Sequence, residues 1–169
     1  MKKLLILLGI VLLLVLGYVF FVSGKQGKKQ EVKQQTSQQS LTPEKVDLSA
    51  GFAIFTNGTF RIFTAPMYHN LSEDVFIESS NPNIIIVKKK GITWSDFFAT
   101  HPMSLKKDCL VTGTGQTFCT NGNEKLRFFI NGREDPNALD KEIGNGDKLL
   151  VTYGSQTEDQ IKNQLQQVP

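Results

Sequence analysis

The stretch "NIIIVKKKGITWSDFFATHP", residues 83–102, decides the fold class of this chain. Its first part, "NIIIVK" (83–88), is a β-branched run that follows Asn81-Pro82 and leads to Gly91, the composition of a strand. The second part changes period. Thr93 stands where a helix N-cap belongs, and Asp96 three residues on completes a capping box. Trp94, Phe97 and Phe98 recur at i, i+3 and i+4, so all three share one helix face, which is the pattern of core packing. Pro102 forbids continuation, because it lacks an N–H and its ring clashes with the preceding turn. The stretch predicts a strand, a short helix and a stop.

Further strands are predicted on both sides. "FAIFT" (52–56), "TFRIFTA" (59–65) and "DVFIES" (74–79) precede it, and "LRFFI" (126–130) and "KLLVTY" (148–153) follow. Asn-Gly pairs at 57–58, 121–122 and 131–132 signal type I′ hairpin turns, whose two central residues both need positive φ. The first pair joins "FAIFT" to "TFRIF". The likeness of "FTNG" to "FING" follows from this turn chemistry without a duplication. A closing helix starts at Thr157, with Gln160 three residues on, and carries Ile161, Leu165 and Val168 as an apolar stripe. Strands, one central helix, more strands and a closing helix make an α+β domain of about 120 residues, from about Val46 onward.

These motifs also carry a resemblance. "GITWSDFF" (91–98), then "KLRFFING" (125–132), then "EIGNGDKLLVTYG" (142–154) is similar to a β-grasp (ubiquitin-like) pattern. That likeness implies a mixed sheet with one central helix. Residues 51–168 more closely resemble an uncharacterised family of single-anchor membrane proteins of archaea and reduced-genome bacteria. The shared features are G-[IV]-T-x-x-x-F-F, paired cysteines, F-x-x-N-G, G-D-x-[IL]-L-[IV]-x-Y-G and a short closing helix. The resemblance implies a membrane-anchored soluble domain and no particular activity. In ligand-binding β-grasp proteins, loops and an exposed sheet face do the work, which directs attention to Tyr68, His69 and Trp94 as binding residues. Ubiquitin-like sulfur carriers end in Gly-Gly, whereas this sequence ends "QQVP", so that chemistry is not implied.

The N-terminus predicts the anchor. Leu4–Val22 is an uncharged, mostly aliphatic stretch of 19 residues. As a helix it would be roughly 28 Å long, against a hydrocarbon core of about 30 Å. A cleavable signal peptide is the competing reading, with Lys2 and Lys3 as its n-region and Val22-Ser23-Gly24 as its cleavage site. The apolar core exceeds the ~7–15 residues of such peptides, which favours an uncleaved signal-anchor over residues 1–24. No cysteine near residue 20 offers a lipid attachment point. Residues 25–45, "KQGKKQEVKQQTSQQSLTPEK", hold six glutamines and no aromatic, the composition of a disordered tether. Its r.m.s. reach is roughly 25 Å.

Residues 1–40 carry a net charge of +5 and residues 41–169 a net charge of −2. The basic character belongs to the flank of the anchor, where it meets anionic headgroups. The slightly acidic domain gives no electrostatic case for nucleic acid. Lys88, Lys89 and Lys90 read as gatekeepers bounding a hydrophobic strand. Lysines after the span (Lys25, Lys28, Lys29, Lys33) argue for a cytoplasmic domain by the positive-inside rule. The very short N-terminal tail and the cysteine usage argue for a domain outside the cytoplasm, which we take as the prediction.

Both cysteines, Cys109 and Cys119, lie in "KKDCLVTGTGQTFCTNG" (106–122). C-x9-C is not the C-x-x-C of a reactive redox pair. Zinc ligation would need His69 and His101, the two histidines of the chain, which lack ligand spacing. The stretch reads as two short strands around Gly113-Thr114-Gly115. This places Cys109 opposite Cys119 as a non-hydrogen-bonded pair, ~4.5 Å apart at Cα, and predicts a structural disulfide. "GTGQT" lacks the lysine and spacing of a phosphate loop, and no G-x-S-x-G, H-E-x-x-H or EF-hand pattern occurs. Glu134, Asp135, Asn137 and Asp140 cluster in "NGREDPNALDKE" (131–142) without a cation-loop consensus, so a solvated loop is expected. No catalytic residue, metal or cofactor is predicted. Asn57 and Asn70 stand in N-glycosylation triplets.

The sequence predicts a single-pass, membrane-anchored, extracytoplasmic binding or protein-interaction module with a protein partner at the cell envelope. A second reading is a metal-dependent or enzymatic accessory factor, which requires His69, His101 and the acidic loop to meet in one cleft. A third is a structural subunit of an envelope complex docking through the closing helix. That reading requires Ile161, Leu165 and Val168 to be exposed.

Overall fold

The computed structural model describes residues 44–169, so the predicted anchor and the predicted tether up to residue 43 lie outside the described residues. Among the described residues no helix is long and apolar enough to cross a membrane. The domain is an α+β fold with a mixed sheet and two helices. Its elements are β1 (Lys45–Thr56), β2 (Thr59–Phe60), β3 (Val75–Glu78), β4 (Asn81–Lys89), α1 (Trp94–Ala99), β5 (Ser104–Leu105), β6 (Cys109–Val111), β7 (Thr117–Cys119), β8 (Lys125–Ile130), β9 (Arg133–Glu134), β10 (Lys148–Gly154) and α2 (Glu158–Leu165). The large sheet runs β3-β4-β1-β10-β8-β9, with β2 added beside the end of β1, and β5-β6-β7 form a second, small sheet.

The centre of the large sheet is a parallel pair. β1 and β10 align from Gly51 opposite Lys148 to Thr56 opposite Tyr153, whereas the remaining pairs are antiparallel. Both strands read as near-continuous apolar runs because both faces are covered. On one face Phe52, Ile54, Leu149 and Val151 meet Trp94, Phe97 and Phe98 of α1 in the main core. On the other, Ala53, Phe55, Leu150 and Phe129 meet Ile161 and Val168 of the closing segment. Phe97 touches Phe52 edge-on at 5.3 Å, and burying each such ring contributes about 1.5–3 kcal/mol.

The local start and stop signals act as the residues dictate. Thr93 and Asp96 form a reciprocal capping box on α1, and Thr157 and Gln160 form another on α2. Asn57-Gly58 and Asn131-Gly132 both have positive φ at each residue, as a type I′ turn requires. The third pair differs. Only Gly122 is left-handed, and it takes the first central position of a turn closed between Asn121 and Glu124.

Two expectations are corrected, and one alternative, docking through the closing helix, falls because that helix packs back on the sheet. "TFRIFTA" is a strand only at Thr59–Phe60. Arg61 N still donates to Ile54 O at 2.8 Å, but Phe63 then turns into the core and Pro66 opens a 3-10 turn over Pro66–Tyr68. The tether does not extend to residue 45, because Lys45 opens β1 and Glu44 already accepts from Lys90 N at 3.0 Å. The apolar stripe of the closing segment is not available for docking. Ile161 is 2% and Val168 4% exposed, Leu165 packs beside them, and all three cover the domain's own sheet. The gatekeeper lysines are each paired: Lys88 with Asp47, Lys89 with Asp74 and Lys90 with Glu44, at 2.7, 3.0 and 2.9 Å. At such exposure the pairs add little to stability, and the three leave no free basic patch on that strand.

Candidate functional site

The cysteine hairpin builds one wall of an apolar cleft. Cys109 lies directly opposite Cys119 in the β6–β7 register, and the two are disulfide-bonded across a sequence separation of 10. Their neighbours carry the ladder bonds: Thr120 N donates to Asp108 O and Thr112 N to Gln116 O. The cysteines therefore occupy the non-hydrogen-bonded position, where side chains approach most closely. The tip is a tight turn, with Gly115 N donating to Thr112 O and Gly115 at φ +83°.

This hairpin stands against the irregular segment that follows β2. A Cβ placed on Gly113 would sit 2.7 Å from Pro102 O and 3.1 Å from Tyr68 Oη, so only glycine permits the approach. Between them lies a cleft of about 200 Å³. Ile54, Phe63 and Leu110 from the main core form its floor, and Tyr68, Met103 and Arg61 line its sides. Its volume is below the ~300–1,000 Å³ of typical small-molecule sites and suits one large side chain. Ile62, in the lining, and Met67, beside Gly113, are 67% and 48% exposed, so the mouth is apolar as well.

Arg61 spans the mouth. Its Nε donates to Thr56 Oγ1 at 2.6 Å, its Nη1 to Gln116 Oε1 at 3.2 Å, and its guanidinium lies 5.0 Å from the centre of the Phe118 ring. Arg127, by contrast, is spoken for: it pairs with Glu134 at 2.6 Å and Glu158 at 3.4 Å. No carboxylate of the described residues pairs with Arg61.

Of Tyr68, His69 and Trp94, the cleft takes only Tyr68 into its lining. Tyr68 lines it and packs edge-on against Phe63 at 5.1 Å. His69 is half-buried, and its Nε2 donates to Phe63 O at 2.8 Å, which fastens the segment. Trp94 is 0% exposed, inside the core on α1, where no ligand at the surface can touch it. The spacing that made its face a core face also removes it from the site.

His101 lies behind the cleft wall, stacked on Tyr68 at 6.2 Å and 6% exposed. Its Nδ1 donates to Phe97 O at 3.1 Å and its Nε2 is buried without a partner. Burial pushes its pKa below 6.5; the Phe97 carbonyl opposes this, and the charge of nearby His69 adds to it. The acidic loop is committed elsewhere. Arg127 grips Glu134 with two bonds and, chiefly through them, holds its carboxyl below the usual range. Lys141 pairs with Asp135 at 3.7 Å and Lys107 with Asp140 at 2.6 Å. Among the described residues no three of His, Cys, Asp and Glu group closely enough to hold a metal ion.

The floor and the hairpin wall were missed by sequence reasoning, because Ile54 and Phe63 lie far from Leu110 in the chain. The available signal was local: an arginine followed by Ile62 immediately after a predicted hairpin turn. No family model, no curated protein and no solved structure matches this chain.

Proposed function

We propose that this chain is a membrane-anchored, extracytoplasmic protein-interaction module built on a β-grasp-like domain. It belongs, on this reading, with the single-anchor proteins whose motifs it resembles. The sheet order supports the β-grasp part: first and last long strands are parallel neighbours, β4 flanks one, β8 flanks the other, and α1 falls between. The disulfide supports an oxidising compartment, and the uncharged stretch of 19 residues supports an anchor.

The observation that carries the function is the apolar cleft beside Arg61, which has no carboxylate partner among the described residues. The partner is a protein segment that inserts one large apolar side chain and sets a carboxylate against Arg61. An aliphatic or aromatic group entering the cleft displaces water from Ile54, Phe63 and Leu110, and Arg61 selects for the adjacent charge.

A photo-crosslinking side chain at Met67, in the full chain in intact cells, tests this. It should give one discrete adduct, weakened by R61Q and abolished by I62D, with thermal unfolding unchanged. A control probe at Lys162, on the opposite face, should give none. Equal adducts from both positions, or an adduct indifferent to R61Q and I62D, would sink the proposal. For the orientation, a membrane-impermeant protease should remove the domain from intact spheroplasts; full protection would refute it.

A further inference from the structure

Beside the apolar face that α2 lays on the sheet runs a row of side-chain amides, exposed except for Gln164. Gln160, Asn163, Gln164 and Gln167 stand at i, i+3, i+4 and i+7 and therefore share one stripe. With Gln156 before the helix and Phe55 of β1 they line a groove of about 210 Å³ beside the Asn57-Gly58 turn. Among the described residues no ionisable side chain lines it.

The amides are only partly used within the chain. Gln160 spends its Oε1 on Thr157 N at 2.8 Å, and Gln167 spends its Nε2 on Asn163 O at 3.2 Å. One therefore keeps a donor and the other an acceptor. Gln164 is the telling member. It is 5% exposed, it lines the groove, and its buried Oε1 has no hydrogen-bond partner. A buried amide oxygen left without a donor is a cost that native structures rarely carry.

We propose that this groove is a second binding site, for a neutral saccharide. The lining excludes a charged ligand as the natural occupant, since no counter-charge faces it. Its free groups are mixed donors and acceptors, and a sugar hydroxyl both donates and accepts. The volume holds one ring. The site is separate from the apolar cleft and does not depend on it.

The test uses the full, 15N-labelled chain in detergent micelles, read at the side-chain amide signals of Gln160, Asn163, Gln164 and Gln167. Probes are maltotriose, mannotriose and N,N′,N″-triacetylchitotriose. At least one should shift these signals saturably, with Kd of order 1 mM. Q164L, N163A and Q167A should each weaken binding, about tenfold for Q164L. N163A and Q167A alter exposed positions and keep the test valid where Q164L unfolds. The inference fails on any of four results. These are no saturable shift with the three sugars, tighter binding of trigalacturonate, unchanged affinity in all three variants, or the same shifts from a peptide of residues 25–45 with the sugars silent.

Discussion

Removing the disulfide should lower stability by an amount set by the loop it closes. Cys109 and Cys119 are 10 residues apart, so cross-linking them removes about 9 cal/mol/K of denatured-state entropy in the chain-entropy model. At 25 °C that is about 2.7 kcal/mol. A domain of this size unfolds with an entropy near 0.26 kcal/mol/K, so C109A/C119A should lose about 10 °C in Tm. Trp94, the single tryptophan of the chain and fully buried, reports the transition by fluorescence. Wild-type protein melted after reduction should coincide with the double variant, because both lack the same cross-link. The hairpin also walls the cleft, so the Met67 adduct should weaken in the same variant. A loss under about 3 °C would refute the entropic reasoning, since the loop term alone exceeds that. Two alkylatable thiols in unreduced protein would refute the staple itself.

Acid should destabilise the domain through His101. Its folded-state pKa lies below 6.5, so the unfolded chain takes up the proton first, and stability falls as pH drops from about 6.5. H101F should flatten Tm between pH 7.5 and 5; an unchanged slope would assign the loss to other groups. Asp147 ties two turns together, accepting from Gly144 N at 2.8 Å and Asn131 Nδ2 at 2.9 Å. D147A should cost about 1–3 kcal/mol in urea denaturation. G113A forces its new methyl toward Pro102 O and Tyr68 Oη and should cost about 1–3 kcal/mol while weakening the Met67 adduct. T93A removes the α1 cap and should cost about 1 kcal/mol without affecting that adduct.

What was legible in the sequence was local. Thr93 with Asp96, Thr157 with Gln160, and Asn57-Gly58 each fix backbone through neighbours within four residues, and the structure has them as read. The opposed cysteines were legible for the same reason, since a glycine turn sets their register. Long-range pairing was not. Nothing in β1 announces that its partner is β10, nearly a hundred residues on, rather than the hairpin strand its Asn-Gly turn supplies. That hairpin is real but two residues long, because Phe63 gains more in the aromatic core than in a ladder. The start of β1 was hidden by its polar alternation, in which Val46 and Leu48 are only half-buried. The amide stripe is in plain view as spacing, but spacing alone does not show that Gln164 is buried.

The lengthwise run of β1 has a mechanical consequence. The chain enters the domain at Lys45, and β1 then carries it to Thr56, beside Arg61 and the cleft. On the proposed function, a tug between a held partner and a membrane anchor would pull along that strand. The ladder bonds to β4 lie across its axis, as antiparallel bonds do, and those to β10 slant over it. They would be strained side-on and together, rather than peeled one at a time from an end. Such a strand behaves as a tie-rod, so under tension the cleft should release its partner before the domain unfolds.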